Sequence, residues 1–330
     1  MPKPTPTREL KCYFLGAGFS SAFGLPNTTV LLTRVHELGR KRTLPIERQL
    51  KDAYKFFYPE ESASFIPEVV DFFSVLKAYE EVAKGLPGAF EHPSLLTELK
   101  LAIARHLCEE VRDLEIPPVG WPSVDNIVKI GNVVITTNWD LFIEWYAKTR
   151  NVAMRLGGEP SDSVFTLIKL HGSVDWSLRK ELRVGAQEWV PVRELQNTAR
   201  SYSVPPTADD KVVRLLALEN MNRNWQFIKA RTTRPHMIVM SQGKTAEMEP
   251  IKSMWDDAYR ALGKAKNVHV IGYSMPPDDI EIRALLRAGV ARGPEPAQVT
   301  IHNPDPSVHL RVRTYVQRSA KSEYRPFAKQ

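Results

Sequence analysis

KCYFLGAGFSSAFGLP, residues 11–26, decides the fold. Cys12 to Leu15 is a short apolar run that ends on Gly16, Ala17 and Gly18, and a chain that leaves a strand through residues without bulky side chains can bring its backbone against a pyrophosphate. The helix that follows would then aim free N–H groups at the phosphates. Thr28 to Arg40 carries apolar residues at helical intervals and reads as the first long helix. An ordinary dinucleotide-dependent dehydrogenase wants an acidic residue at the end of a second strand roughly 20 positions on. Glu37 has the spacing but falls inside that helix, and Ser21 stands where the third small residue of the fingerprint belongs, so hydride transfer is demoted.

Working outward, residues 1–43 open a nucleotide-binding domain and 44–120 interrupt it. Three helical patterns fill the interruption, around Pro45–Phe57, Pro67–Lys84 and Ser94–Leu114. In the second, Val69, Val70, Phe73, Val75, Leu76 and Tyr79 make one broad apolar face, as a packed helix requires. IPPVGWP at 116–122 closes the insertion, because its prolines and glycine stop helix propagation. Residues 121–174 resume the domain with a strand at Val133–Thr136, a helix at Leu141–Arg150 and a strand at Thr166–Leu170. A second, irregular insertion spans 175–235. Residues 236–305 complete the domain through apolar runs at His236–Met240, Val268–Ile271 and Val299–Ile301, separated by helices near Ile251–Leu262 and Asp279–Ala288, and 306–330 reads as a basic C-terminal tail. Strands alternating with helices predict an α/β fold, a Rossmann-like parallel sheet covered by helices on both faces, with ligands bound beyond the carboxyl ends of the strands.

Composition agrees with a large enzyme. The chain has 330 residues, 43% hydrophobic and 25% charged, enough for a sizeable core. Its start, MPKPTPTRELK, is polar and Pro-rich, and no apolar stretch approaches a membrane span, so the reading places the protein in the cytoplasm. Cys12 and Cys108 are far apart in the sequence and read as reduced thiols packed as small hydrophobes. The net charge of +7 fits either a nucleic-acid partner or a site for a phosphate-bearing dinucleotide. Basic residues are scattered, with mild density at Arg40–Arg42 and Arg311–Lys329, and no basic run is interleaved with stacking aromatics. That pattern favours a solvated surface over direct nucleic-acid binding.

Four further segments share the position of the Gly turn, each at the end of an apolar run: ITTNWD (135–140), KLHGS (169–173), VIGYSMPPDD (270–279) and VTIHNPD (299–305). Taken singly, each has a plain explanation. Asn138 can cap a helix, Asp140 can be a first-turn carboxylate, His171 can be a buried, hydrogen-bonded histidine, and Ser20 and Ser274 can be caps or turn residues. The remaining histidines lack metal-ligand spacing.

Together the segments resemble the sirtuin (silent information regulator) superfamily. Gly16, Ala17, Gly18, Ser20, Gly24, Leu25 and Pro26 look like its opening motif, Asn138 and Asp140 its second block, His171-Gly172 its third, Gly272 and Ser274 its fourth, and Asn303 its fifth. The departures are specific. Asn27, Thr28 and Thr29 replace the Asp-Phe-Arg of the deacylases, Thr137 stands in place of a Gln, and two distant cysteines cannot build the four-thiolate zinc module. The pattern is closer to the bacterial sirtuin-like proteins of anti-phage defence, whose activity is NAD hydrolysis.

That resemblance implies NAD as substrate, no metal, and cleavage of the nicotinamide–ribose bond. Asn138 would hold the attacking water or the ribose hydroxyls, His171 would accept a proton, and Asp140 would orient the ribose or the carboxamide. Gly16, Ala17, Gly18, Ser20, Pro26, Thr137, Gly272 and Ser274 would line the dinucleotide, and Asn303 would take the adenosine ribose. With no sensor domain evident in the chain, the trigger is expected from a homo-oligomer or a separate defence subunit of ATPase, nuclease or Argonaute-like kind. Protein deacylation, ADP-ribosyl transfer and non-catalytic NAD binding stay open as alternatives.

Overall fold

The computed structural model describes residues 9–42, 46–62, 64–83, 86, 90, 95–178, 202–203, 212–214, 235–239, 244–293, 295–324 and 327. β1 (Lys11–Leu15) runs straight into the short helix α1 (Ala17–Ser21). α2 (Thr28–Arg42) begins where the Asn27 side chain accepts the N–H groups of Thr29 and Val30. α3 (Ile46–Phe57), α4 (Val69–Val82) and α5 (Leu95–Arg112) pack on α2 and on one another. α6 (Pro122–Ile127) starts on the last proline of the Pro-rich stretch, a position where the missing N–H costs nothing.

The chain then gives β2 (Val133–Thr136), α7 (Phe142–Thr149), β3 (Met154–Leu156) and β4 (Phe165–Lys169). β5 (Trp176–Leu178), β6 (Tyr202–Ser203) and β7 (Val212–Arg214) come from the expected second insertion, most of which lies outside the described residues. α8 (Thr245–Met248), α9 (Lys252–Lys264), β8 (Asn267–Ile271), α10 (Ile280–Val290), β9 (Gln298–His302), α11 (Pro306–Tyr315) and β10 (Lys321–Glu323) complete it.

Eight strands form one sheet in the order β10-β9-β8-β1-β2-β4-β3-β6, with parallel pairings throughout. Every residue of β2 and β4 is buried, as expected of parallel strands covered on both faces. The fold is therefore the Rossmann-like α/β class that strand and helix alternation predicts. β1 is the reversal point, since Cys12 lies opposite Val133 of β2 on one side and Val268 of β8 on the other. A crevice opens beyond the strand ends at such a reversal. Phe19 meets Phe142 edge to face, and Phe23 stacks on Phe142 and packs at a tilt against Trp121, setting the Gly turn on an aromatic floor.

Two expectations need correction. Residues 236–239 do not form a strand of the main sheet: Met237 makes a single antiparallel bridge to Gly172, and the backbone bonds run from Ile238 N to His171 O (2.8 Å) in the His-Gly turn and from His236 N to Trp176 O (2.7 Å) at the start of β5. The expected tail supplies α11 and β10, and β10 pairs with β9 at the sheet edge. Lys-Ser-Glu carries no apolar alternation because an edge strand of three residues faces water.

Candidate functional site

Two turns interlock at the reversal point. Gly16 N–H bonds Ile271 O (3.0 Å) and Gly18 N–H bonds Gly272 O (2.8 Å). A Cβ on Gly16 would stand 2.5 Å from Tyr273 Cα, and one on Gly18 would stand 2.8 Å from Gly272 O. On Gly272, at φ +62°, it would stand 2.1 Å from Phe19 N. These glycines are thus required by close approach of the two turns to each other. Phe19 N–H is also engaged, with Gly16 O at 2.9 Å. The N–H groups of Gly18 and Phe19 in α1, a short helix the sequence reading did not anticipate, are thus taken up inside the protein, and at the start of the expected helix the N–H groups of Thr29 and Val30 are engaged by Asn27.

Beside the interlocked turns lies a cavity of about 430 Å³. Its lining brings together Ala17, Gly18, Pro26, Thr137, Asn138, Asp140, Gly272, Ser274 and Asn303, all expected from the sequence, with Glu68, Val70 and Leu107 of the helical insertion as a further wall. The parallel topology is what unites them, because the ends of β1, β2, β8 and β9 share one edge of the sheet. Gly16 and Ser20 stand behind Asn138. His171 does not line the cavity.

Asn138 is fixed from its own side of the turn. Its Nδ2 donates to Gly16 O (3.0 Å) and Ser20 Oγ (2.9 Å), and its backbone N–H donates to Thr136 Oγ1 (3.0 Å). Rotating the amide would set oxygen against the Gly16 carbonyl, so the network assigns the orientation. Oδ1 is then buried with no partner. Asn138 is not the cap of α7; Asp140 Oδ1 accepts Phe142 N–H (2.9 Å) instead. Lys169, fully buried at the end of β4, donates to Asp140 O (2.6 Å), Glu144 Oε1 (2.9 Å) and Ser173 Oγ (2.8 Å).

His171 is 1% exposed, its Nε2 lies 3.5 Å from Asp279 Oδ1, and neither ring nitrogen has a hydrogen-bond partner. Gly172, at φ +73°, lets the chain pass His236, whose carbonyl oxygen a Cβ there would meet at 2.0 Å. Asp279 is fully buried, accepts from Tyr273 Oη (2.6 Å) and pairs with Lys244 Nζ, which also lies 3.1 Å from Glu281. Burial raises the Asp279 carboxyl, but His171 and Lys244 together outweigh it and hold the group well below the usual carboxylate range. Burial first, then Asp279, pushes the Tyr273 phenol far up.

Asn303 Oδ1 accepts Asp305 N–H (2.9 Å), and Arg311 Nε donates to Ser274 O (3.1 Å). The described lining carries three carboxylates, Glu68, Asp140 and Asp278, and no Lys or Arg. The positive net charge is therefore not gathered in this cavity. Such a site favours a ligand part that is, or becomes, cationic, and must hold anionic parts by hydroxyls and amides. Burial pushes the Cys12 thiol up to about 12 and also raises that of Cys108, in keeping with packed, inert thiols.

Sequence reading missed Lys169, Lys244 and Asp279. A lysine ending an otherwise apolar strand beside a His-Gly turn was the available signal for Lys169. Asp279 reads from sequence only as the start of a helix.

No protein-family model matches the chain, and no curated protein matches it. Among solved structures, a Sir2 homologue mutant in complex with ADP-ribose matches over 96% of this chain and 86% of its own, at 15% identity and a TM-score of 0.34. A sirtuin solved in work on substrate affinity matches over 97% and 90%, at 13% and 0.30. A Sir2-homologue mutant in complex with 2'-O-acetyl ADP-ribose matches over 96% and 86%, at 13% and 0.32. These likenesses are too loose to transfer a site or an activity.

Proposed function

We propose that this protein is a sirtuin-like NAD⁺ hydrolase that cleaves the nicotinamide–ribose bond to give ADP-ribose and nicotinamide. The observation that carries the reading is the Asn138 amide. Its donors are fixed on Gly16 and Ser20, and its buried oxygen, without a partner, belongs to a residue that lines the cavity. An orphaned acceptor in such a place calls for a donor from the ligand, a ribose hydroxyl or a held water.

The chemistry suits the charge of the lining. Nicotinamide leaves with the bonding pair as a neutral molecule, so the task is to stabilise a cationic ribose and position one water. Asp140 supplies negative charge for the cation, and its second oxygen takes the proton of the attacking water as the new C–O bond forms. Thr28, Thr29 and Ser274 offer hydroxyls to the pyrophosphate. His171, placed behind the wall, is relieved of direct proton transfer. A role in anti-phage defence, with an oligomer or separate subunit as trigger, belongs to the same reading, since unrestrained hydrolysis would exhaust cellular NAD.

One observation favours a second reading, NAD binding without turnover: the buried His171 does not reach the cavity. The deciding experiment incubates the purified chain with NAD, with and without an acyl-lysine peptide, and measures nicotinamide release beside calorimetric binding. Peptide-independent release supports hydrolysis, and binding without release supports the second reading. Release only with peptide, or no binding at all, overturns the proposal.

A further inference from the structure

Two fully buried lysines stand behind the cavity, one behind each wall. Lys169 holds the 137–141 turn through Asp140 O, and also reaches Glu144 and Ser173. Lys244 holds the 272–279 turn through Asp279, which in turn accepts from Tyr273 and whose N–H bonds Pro276 O (3.2 Å). That second turn needs an anchor: besides Gly272, the buried Met275 sits at φ +53°, a costly conformation for a side-chain-bearing residue.

The stretch 170–174 touches both networks. Ser173 Oγ accepts from Lys169, Val174 N–H bonds Trp139 O (3.1 Å), and His171 faces Asp279 at 3.5 Å. We propose that the His171–Val174 turn is a mechanical bridge between the two lysine-pinned walls, with His171, Lys169, Lys244 and Asp279 as positioning residues that set the width of the cavity. His171 then acts through Asp279 on the 272–279 wall and, through its own backbone neighbours, on the Asn138 wall. The role for these residues in substrate use rests on the NAD reading; the bridge itself does not.

The test is therefore independent of NAD. Amide hydrogen exchange is followed by mass spectrometry on the full chain, for wild type, His171→Leu and Lys244→Met, with Lys266→Met as control; Lys266 is exposed and paired with Glu9. His171→Leu is expected to speed exchange about 10-fold or more in peptides covering both 137–141 and 272–279, leaving β1 unchanged. Lys244→Met is expected to act first on 272–279, and the control on neither. Faster exchange in only one wall for His171→Leu, or no change in either, overturns the bridge. Should His171→Leu fail to fold, Asp279→Asn, which keeps the shape and removes the charge, is read the same way. The double variant Lys244→Met/Asp279→Asn adds a binding readout: recovery of the melting midpoint with NAD affinity still at least about 10-fold weaker marks positioning, and recovery of both marks plain stability. Absence of NAD binding by the wild type would remove the NAD reading and leave the exchange result to decide the bridge.

Discussion

At the scale of single residues, the glycines carry the firmest expectation. Gly18 reads from the sequence as room for a pyrophosphate, yet its missing Cβ makes room for the Gly272 carbonyl. Gly18→Ala should therefore destabilise the protein by about 2–4 kcal/mol with no ligand present, through strain and backbone displacement. A chemical melt of the variant that overlays the wild type would refute this packing account. Asn138→Ala removes a hydrogen-bond donor pair and the orphaned acceptor together. It should cost about 1–2 kcal/mol of stability and lower nicotinamide release by on the order of 10², read by melts and product chromatography on the same preparation. Unchanged release in a folded variant would end the role assigned to Asn138.

Among the elements, legibility followed apolar run length. β1, β2, β4, β8 and β9 are each four or five residues, are built mostly on apolar residues, and are readable within a residue of their ends. β3 and β10 were not, because three residues give no period to detect and β10 is polar. The run at 236–239 misled for the opposite reason: it is apolar because it is buried beside the 171–172 turn and the start of β5, not because it joins the main sheet. Site residues after strands were legible from the Gly, Asn and Asp they carry, whereas Lys169, Lys244 and Asp279 gain meaning only from contacts between distant segments. The helical insertion gives a test at this scale. Val70 is half-buried on α4 and lines the cavity. Val70→Trp should fill space there and weaken NAD binding about 10-fold or more in calorimetry while the melt changes little, and equal affinity would show that the insertion wall stands clear of the ligand.

For the whole molecule, pH is the informative variable. His269 stacks on Tyr13, and its Nδ1 lies 3.1 Å from His302 Nε2. Burial, then His302, then Lys11, lowers the His269 imidazole from its ordinary 6.5 to about 4. His302 is lowered too, chiefly by burial. The unfolded chain therefore binds protons that the folded chain refuses. Stability should be full above pH 6.5 and fall as pH drops from there towards about 4, by about 1–2 kcal/mol for His269 after allowing for its partial exposure. Urea midpoints between pH 7.5 and 4.5 measure this, and a His269→Gln variant should show a shallower decline. An identical slope would assign the effect to other groups.

The strand order also governs when the cavity can exist. Lys11 pairs with Asn267, and the Gly16 turn closes against Gly272, so β1 waits for β8, which is made long after it. Such long-range parallel pairing is slow to form. During synthesis, a nascent chain that stops short of residue 267 holds the Gly16 turn and Asn138 without the opposing wall. The order of synthesis thus keeps the two walls of the cavity apart until the chain has passed residue 272, so that no shorter fragment on the ribosome carries the assembled site.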